Sequence, residues 1–177
     1  MAETAGRLRR SLARKRVPLG FVAAVVTLIL ARPTWATWSA GLFVAAIGEC
    51  FRIWAAGHLE KGREVTRSGP YRFTGHPLYL GSTLIGIGLA IASNNIWVAA
   101  LVIAYLAVTL TAAIRTEEAH LTEKFGAAYP DYRAGRGVEV ERPFSLHRAL
   151  RTNREYRAAL GVLIVLAVLL IKANLNL

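Results

Sequence analysis

The uncharged run IWVAALVIAYLAVTLTAAI, residues 96–114, decides the fold class of this chain. A helix needs about 20 residues to cross the roughly 30 Å hydrocarbon core of a bilayer, because each residue advances it by about 1.5 Å. An apolar run of this length therefore predicts a membrane-spanning helix. The composition agrees, since 54% of the 177 residues are hydrophobic and 19% are charged, whereas a soluble domain carries about 25% charged residues.

Four more apolar runs flank this one, and the shortest can be extended to membrane length by snorkelling basic residues at their ends. We expect an all-α fold: a polytopic membrane helix bundle with about five transmembrane helices, forming a single domain over residues 1–177. The expected spans are residues 18–34, 35–57, 77–93, 96–115 and 157–172.

The basic residues are distributed asymmetrically. The chain has 22 Lys and Arg residues against 11 Asp and Glu residues, and most of the basic ones fall in residues 1–17, 58–76 and 116–156. Because basic loops stay on the cytoplasmic side, these three segments and the N-terminus are predicted to be cytoplasmic. Topology and anionic headgroups account for the charge. We therefore expect an integral membrane protein of a bacterial or archaeal inner membrane, without a nucleic-acid partner.

A first motif, RSGPYRFTGHPLYLG, occupies residues 67–81. Pro77 suits the first position of a helix, which places His76 at the start of that helix, where free N–H groups favour a carboxylate or phosphate. Tyr79 follows His76 by three residues, so both side chains can face one cavity. The alternative is a turn followed by close helix packing at small residues such as Gly81.

A second motif, RTEEAHLTEKFGAAYPDY, occupies residues 115–132. Helical spacing places Glu118 on an otherwise apolar stripe with Leu121, where an unpartnered carboxylate is costly. Arg115 is an available partner, so the alternative is an Arg–Glu pair that fixes the helix at the membrane interface. Glu117 points elsewhere on the helix and is expected to be solvated.

Two ionisable residues, Glu49 and Arg52, lie inside the second predicted span. Ionisable groups at membrane depth are candidate functional residues; the alternatives are a self-satisfied pair or a snorkelling Arg52. The four histidines are scattered, so we expect no metal site. Arg148, Arg151, Arg154 and Arg157, at three-residue spacing, predict a helix lying on anionic headgroups. The alternatives are a lid over the site and a surface that binds headgroups.

Together the two motifs resemble the isoprenylcysteine carboxyl methyltransferase and phospholipid methyltransferase superfamily of integral membrane enzymes. The resemblance covers residues 49–136, about half of the chain. The family has an arginine immediately before the His-Pro pair, where this chain has Gly75. The residues that match the family's motifs are Gly69, Pro70, Tyr71, His76, Pro77, Tyr79, Gly81, Arg115, Glu118, Leu121, Phe125, Gly126, Tyr129 and Tyr132.

The resemblance implies S-adenosylmethionine bound at a cytoplasmic cofactor site, and a lipophilic acceptor that enters from the bilayer. The catalytic residues are then expected to be Glu118, Arg115 and His76. The cofactor-binding residues are expected to be Tyr71, His76, Pro77, Tyr79, Gly81, Glu117, Glu118, Tyr129 and Tyr132. The substrate-binding residues are expected to be Glu49, Arg52 and Trp54.

The acceptor stays open among a prenylated carboxylate, a phospholipid amine and another lipid. A carboxylate needs no general base, whereas an amine must first lose a proton, which makes Glu118 and His76 candidate bases. Two other functions also stay open: a membrane reductase that uses a nicotinamide cofactor, and a non-catalytic membrane scaffold. The scaffold predicts that the motif residues can be changed without loss of function.

Overall fold

The computed structural model describes residues 18–136 and 141–175, and within these ranges it contains helices and no strands. The predicted all-α fold is therefore confirmed. The predicted cytoplasmic segment 1–17 lies outside the described residues.

Six α-helices and two short turns of helix follow one another along the described chain. The α-helices are α1 (Pro18–Leu30), α2 (Trp35–His58), α3 (Pro77–Ser93), α4 (Ile96–Phe125), α5 (Ala128–Arg133) and α6 (Tyr156–Leu175). The short turns are a 3-10 turn (Gly69–Arg72) and a π-helical turn (Arg148–Thr152).

Three of these helices, α2, α4 and α6, are long and apolar enough to cross a membrane. The helices α1 and α3 are apolar but shorter, and they coincide with two of the predicted spans, so a bundle of five spans stays a prediction. Helix α4 continues beyond the end of the predicted span at residue 115 and through much of the second motif. It ends where Gly126 adopts a φ of 54°, a conformation that glycine accepts without steric cost.

Side chains cap the helix ends at the side of the bundle away from the first and second motifs. Thr34 and Thr37 form a reciprocal capping box at the start of α2, and Asn95 accepts hydrogen bonds from the first amides of α4. The ammonium of Lys172 donates to the carbonyls of Leu28 and Ala31 at the end of α1. These contacts join the ends of several helices without a long loop.

Small residues let α2 and α3 pack closely in antiparallel orientation. A Cβ atom built on Gly48 would lie 2.8 Å from the carbonyl oxygen of Gly81 and 2.8 Å from the amide nitrogen of Ile85. Gly88 approaches Ala45 in the same way further along the two helices. Packing at this distance fixes how the two helices are rotated against each other, and thus which side chains reach the neighbouring space.

The segment that precedes α6 is held against the end of α2 by ion pairs. The Arg142 guanidinium donates to Glu64 at 2.6 Å and to Glu60 at 3.3 Å, and Arg148 Nε lies 2.8 Å from Glu60. This segment contains one π-helical turn, and Arg154 has a φ of 58°. The predicted interfacial helix through the regularly spaced arginines is therefore wrong, because a residue in that conformation interrupts a right-handed helix.

Candidate active site

The two motifs meet around one cavity of about 550 Å³ at the end of the bundle where α2 finishes and α3 begins. The size is within the range of about 300–1,000 Å³ that small-molecule sites occupy. Predicted site residues in its wall are Arg52, Tyr71, His76, Pro77, Tyr79, Glu117, Tyr129 and Tyr132. Apolar side chains of α4, among them Leu106, Leu110 and Leu121, complete one side.

His76 and Glu118 form a direct contact between the first and second motifs. The imidazole Nε2 lies 3.1 Å from Glu118 Oε1. His76 is the residue before α3, and Pro77 occupies the first helical position as predicted. Glu118 therefore fixes the orientation of a ring whose other nitrogen, Nδ1, stays available as a proton acceptor when Nε2 carries the hydrogen.

A second contact joins the neighbouring residues of each motif. The Tyr79 hydroxyl donates to Glu117 Oε2 at 2.7 Å. Glu117 is exposed, as predicted, and it also lies in the wall of the cavity. The reason is the helical spacing: Glu117 shares one stripe of α4 with Leu110 and Leu121, both of which also line the cavity.

The end of the second motif lies against the 3-10 turn of the first motif, where three tyrosines are close together. The Tyr132 hydroxyl donates to the carbonyl of Tyr71 at 2.6 Å, and the guanidinium of Arg67 lies 5.6 Å from the centre of the Tyr132 ring. The hydroxyl of Tyr129 is buried and has no hydrogen-bond partner among the described residues. Burial, with the nearby Glu118 carboxylate, raises the pKa of Tyr129 to about 12, so that hydroxyl is protonated at neutral pH.

Arg52 pairs with Glu155 across the cavity wall. Its Nη2 atom lies 2.9 Å from Glu155 Oε1 and 2.8 Å from Oε2, and Nε lies 3.1 Å from Oε2. The same guanidinium donates to the carbonyl of Leu78 and to the hydroxyl of Ser82. The pair therefore connects α2, α3 and the residue just before α6, and it offsets the charge of both partners in a region with little water.

Five predicted site residues are not in the cavity wall: Glu118, which contacts His76, and Arg115, Trp54, Gly81 and Glu49. Arg115 is exposed and makes no ion pair with Glu118. Because it lies two residues before Glu117, it points to the side of α4 opposite to Glu117. Trp54 is likewise two residues after Arg52 and lies with Phe51 in a shallow apolar groove on the outside of α2.

Gly81 and Glu49 also lie outside the cavity wall. A Cβ atom on Gly81 would lie 2.5 Å from Arg52 Cγ and 2.8 Å from the carbonyl oxygen of Gly48, so Gly81 serves helix contact. Both carboxylate oxygens of Glu49 are buried without a hydrogen-bond partner in the part of the chain that the structure describes. Glu49 is thus next to the site rather than in its wall.

Gly75 leaves room for a guanidinium that comes from another part of the chain. A Cβ atom built on Gly75 would lie 2.8 Å from Arg133 Nη1. Arg133 is the last residue of α5, and its Nη2 lies 3.5 Å from Glu118 Oε1. A positive charge is therefore present beside His76 although position 75 itself has no side chain.

Comparison with known proteins identifies the family of this chain. The model of the phospholipid methyltransferase family matches residues 16–128, which include α1 to α4 and most residues of the two motifs. The chain belongs to the phospholipid methyltransferase family. This membership, with helices of membrane-spanning length, makes it a membrane protein of a methyltransferase family, as the resemblance predicts.

Two curated relatives match part of this phospholipid methyltransferase family member. The nickel-cobalt-cadmium resistance protein NccN of Alcaligenes xylosoxydans xylosoxydans is 31% identical over 94 residues, covering 52% of this chain and 42% of the relative. The cobalt-zinc-cadmium resistance protein CzcN of Cupriavidus metallidurans is 29% identical over 119 residues, covering 62% and 54%. The chain spans about half the length of these curated relatives. No solved structure matches the chain.

Several residues of the site are absent from the sequence-based prediction for this family member. Glu155 and Asn153 line the cavity, and Asn153 Nδ2 donates to the carbonyls of Ala56 and Leu59. A signal for Glu155 exists, since it is the only carboxylate between Arg142 and Arg157 and lies three residues before the apolar run that begins at Ala158. A lone carboxylate in a basic segment at a membrane boundary indicates a paired residue.

Proposed function

We propose that this protein transfers the methyl group of S-adenosylmethionine to a lipophilic or amphipathic acceptor at the cytoplasmic face of the membrane. The observation that carries the proposal is the single cavity walled by His76 and Tyr79 of the first motif and by Glu117, Tyr129 and Tyr132 of the second. A phospholipid amine and an isoprenylcysteine-like carboxylate are the two acceptor classes to be separated by experiment.

The residues in the cavity wall fit the chemistry of this methyl donor. Glu117 offers a carboxylate for an ammonium group or ribose hydroxyls. The start of α3 beside His76 favours a carboxylate, and the tyrosine rings can pack on an adenine or face a sulfonium. The buried Tyr129 hydroxyl, which has no partner among the described residues, is a polar group that a ligand can satisfy.

When bound, S-adenosylmethionine supplies an electrophilic methyl group, and the transfer needs no covalent enzyme intermediate. The protein's contribution is to hold donor and acceptor in line, which can provide up to about 7–11 kcal/mol in favourable cases. For an amine acceptor, we assign His76 as the base that accepts the proton at Nδ1, with Glu118 orienting the ring through Nε2. The apolar side chains of α4 exclude water from the reacting groups.

The distribution of charge supports the cytoplasmic face. The described loops at the cavity end contain many basic residues, among them Lys61, Arg63, Arg67, Arg136 and Arg151, whereas Arg32 and Lys172 lie towards the opposite end. Such an asymmetry is typical of a cytoplasmic surface. Labelling of single cysteines, introduced by Lys61→Cys or Thr34→Cys in a Cys50→Ser background, tests this: a membrane-impermeant maleimide added to intact cells should label only the second variant.

Binding measurements on the detergent-purified full-length protein test the cofactor. Titration with S-adenosylmethionine should give saturable binding, and titration with NADPH should give none. His76→Ala and Glu117→Ala should each raise the dissociation constant about tenfold or more, while Glu123→Ala, an exposed position on α4, should not. Binding of NADPH but not of S-adenosylmethionine would support the reductase instead. Motif variants that keep the full function of the protein would support the scaffold.

The acceptor class can be read from the product. Membranes that contain the protein are incubated with methyl-labelled S-adenosylmethionine, and the labelled lipids are treated with base. A carboxyl methyl ester releases volatile methanol, whereas an N-methyl group stays on the lipid. Incorporation of label equal to that of membranes without the protein would contradict the proposed activity.

A further inference from the structure

The guanidinium of Arg133 lies next to Gly75, a residue of the cavity wall. Gly75 lines the cavity, and Arg133 Nη1 is 2.8 Å from the point where a Cβ atom on Gly75 would begin. Any larger residue at position 75 would therefore displace the guanidinium of Arg133. The absence of a side chain at this position lets a residue of α5 present its charge beside the start of α3.

The guanidinium is held near the cavity without being saturated. Its nearest carboxylate oxygen, Glu118 Oε1, lies 3.5 Å away, which is too long for a good hydrogen bond. Among residues 18–136 and 141–175, Arg133 donates no hydrogen bond, and its side chain is 50% exposed. Since a guanidinium has five N–H donors, Arg133 can take up a bidentate oxyanion while Glu118 keeps it in place.

The neighbouring arginines are engaged with partners of their own. Arg52, which lines the cavity directly, is bonded to Glu155, Leu78 and Ser82. Arg142 and Arg148 pair with the carboxylates that follow α2. An anionic group of a ligand that occupies the space beside His76 would therefore find in Arg133 a guanidinium whose one partner among the described residues is Glu118, at 3.5 Å.

We propose that Arg133, admitted by Gly75, forms an oxyanion-binding subsite at the rim of the cavity, and that it binds the carboxylate of the methyl donor. This rests on the proposed function. The same chemistry would suit the phosphate of a phospholipid acceptor, so the experiment contains an arm for each source. In both cases Arg133 contributes to binding and positioning, and Glu118 acts by holding the guanidinium and the His76 ring together.

Calorimetric titration of the detergent-purified protein with two ligands tests the subsite. The ligands are S-adenosylmethionine and its decarboxylated analogue, which lacks only the carboxylate. Arg133→Ala should raise the dissociation constant for S-adenosylmethionine about tenfold or more, since charge-assisted pairs are among the stronger hydrogen bonds, and should change that for the analogue less than about twofold. Arg136→Ala is the matched control, because Arg136 is exposed and paired with Asp131.

A second variant, Gly75→Ala, displaces the guanidinium of Arg133 without removing the Arg133 side chain. Gly75→Ala should push the flexible end of Arg133 aside and weaken S-adenosylmethionine binding, yet it should have no further effect in the Arg133→Ala background. Equal weakening of both ligands by Arg133→Ala, or no weakening, would overturn the subsite. An effect confined to binding of dihexanoylphosphatidylethanolamine would place the oxyanion on the acceptor. A wild-type protein that binds neither nucleotide would instead overturn the proposed function.

Discussion

The Nε2 atom of His76 and the Oε1 atom of Glu118 lie 3.1 Å apart, although 42 residues separate them along the chain. The contact joins the start of α3 to the extension of α4 and places an imidazole between a carboxylate and a cavity. A carboxylate behind a histidine fixes the tautomer of the ring and stabilises its protonated form. The pair is thus suited to accept a proton from an amine that enters the cavity.

Replacement of Glu118 tests this arrangement. Glu118→Gln retains the size of the side chain but removes the charge that stabilises an imidazolium. With an amine acceptor we expect kcat to fall about 100-fold, the lower end for general base catalysis. Glu123→Gln, on the same helix and exposed, should keep full turnover. A Glu118→Gln protein with undiminished kcat would show that His76 needs no charged partner.

The Arg52–Glu155 pair makes a prediction about stability. The side chains are only 16% and 7% exposed, so Arg52→Met leaves a buried carboxylate without its partner. The free energy of unfolding should fall by about 3–5 kcal/mol, and a further Glu155→Leu substitution should restore most of this loss. Arg136→Met breaks an exposed pair and should cost at most about 1 kcal/mol. Denaturant titration in micelles gives these values; additive losses in the double variant would contradict the pairing.

The close approach of α2 and α3 is tested at Gly48. Gly48→Ala places a methyl group 2.8 Å from two backbone atoms of α3, which cannot move independently of their helix. Overpacking of this kind costs about 1–3 kcal/mol, and we expect a lower thermal unfolding midpoint. Gly161→Ala is the control, because nothing lies within 4 Å of its Cβ position, and there the midpoint should stay the same or rise slightly. Equal midpoints for both variants would argue against the helix contact.

Substitution of Tyr129 distinguishes a contribution to stability from a contribution to ligand binding. Tyr129→Phe removes a buried group that has no hydrogen bond among the described residues, so the free energy of unfolding should not decrease. Tyr129→Ala should cost about 3–5 kcal/mol, because the ring is 4% exposed. If the hydroxyl binds the methyl donor, Tyr129→Phe raises its dissociation constant severalfold between pH 7 and 9, where the raised pKa keeps the group protonated. An unchanged dissociation constant would remove Tyr129 from the binding residues.

Local signals predicted the elements of the first motif well. Pro77 begins α3, and Asn94, in a left-handed conformation, ends it; both follow from the preferences of single residues. His76 and Tyr79 share one cavity because three residues along a helix nearly complete a turn. These outcomes need no knowledge of distant parts of the chain.

Contacts between residues that are far apart in the sequence are harder to predict. Arg52 was recognised from its position in a span, but its partner Glu155 lies 103 residues away, and no local spacing relates the two. The sequence predicts Arg115 beside Glu118, whereas the rotation of α4 directs Arg115 away from the cavity and places Glu117 in its wall. A helix can be predicted from its periodicity, but the face that it turns to a neighbour depends on packing.

Apolar helices and the two motifs of a membrane methyltransferase family are evident from the amino-acid sequence of this chain alone. Helix formation, capping and the need to bury apolar surface depend on residues a few positions apart, so they can be read along the chain. Which charged side chains meet depends on the folded arrangement: Glu118 contacts His76 and Arg133, and Arg52 pairs with Glu155. Such pairs depend on the rotation and contact distance of helices, which are set by the packing of all their side chains at once.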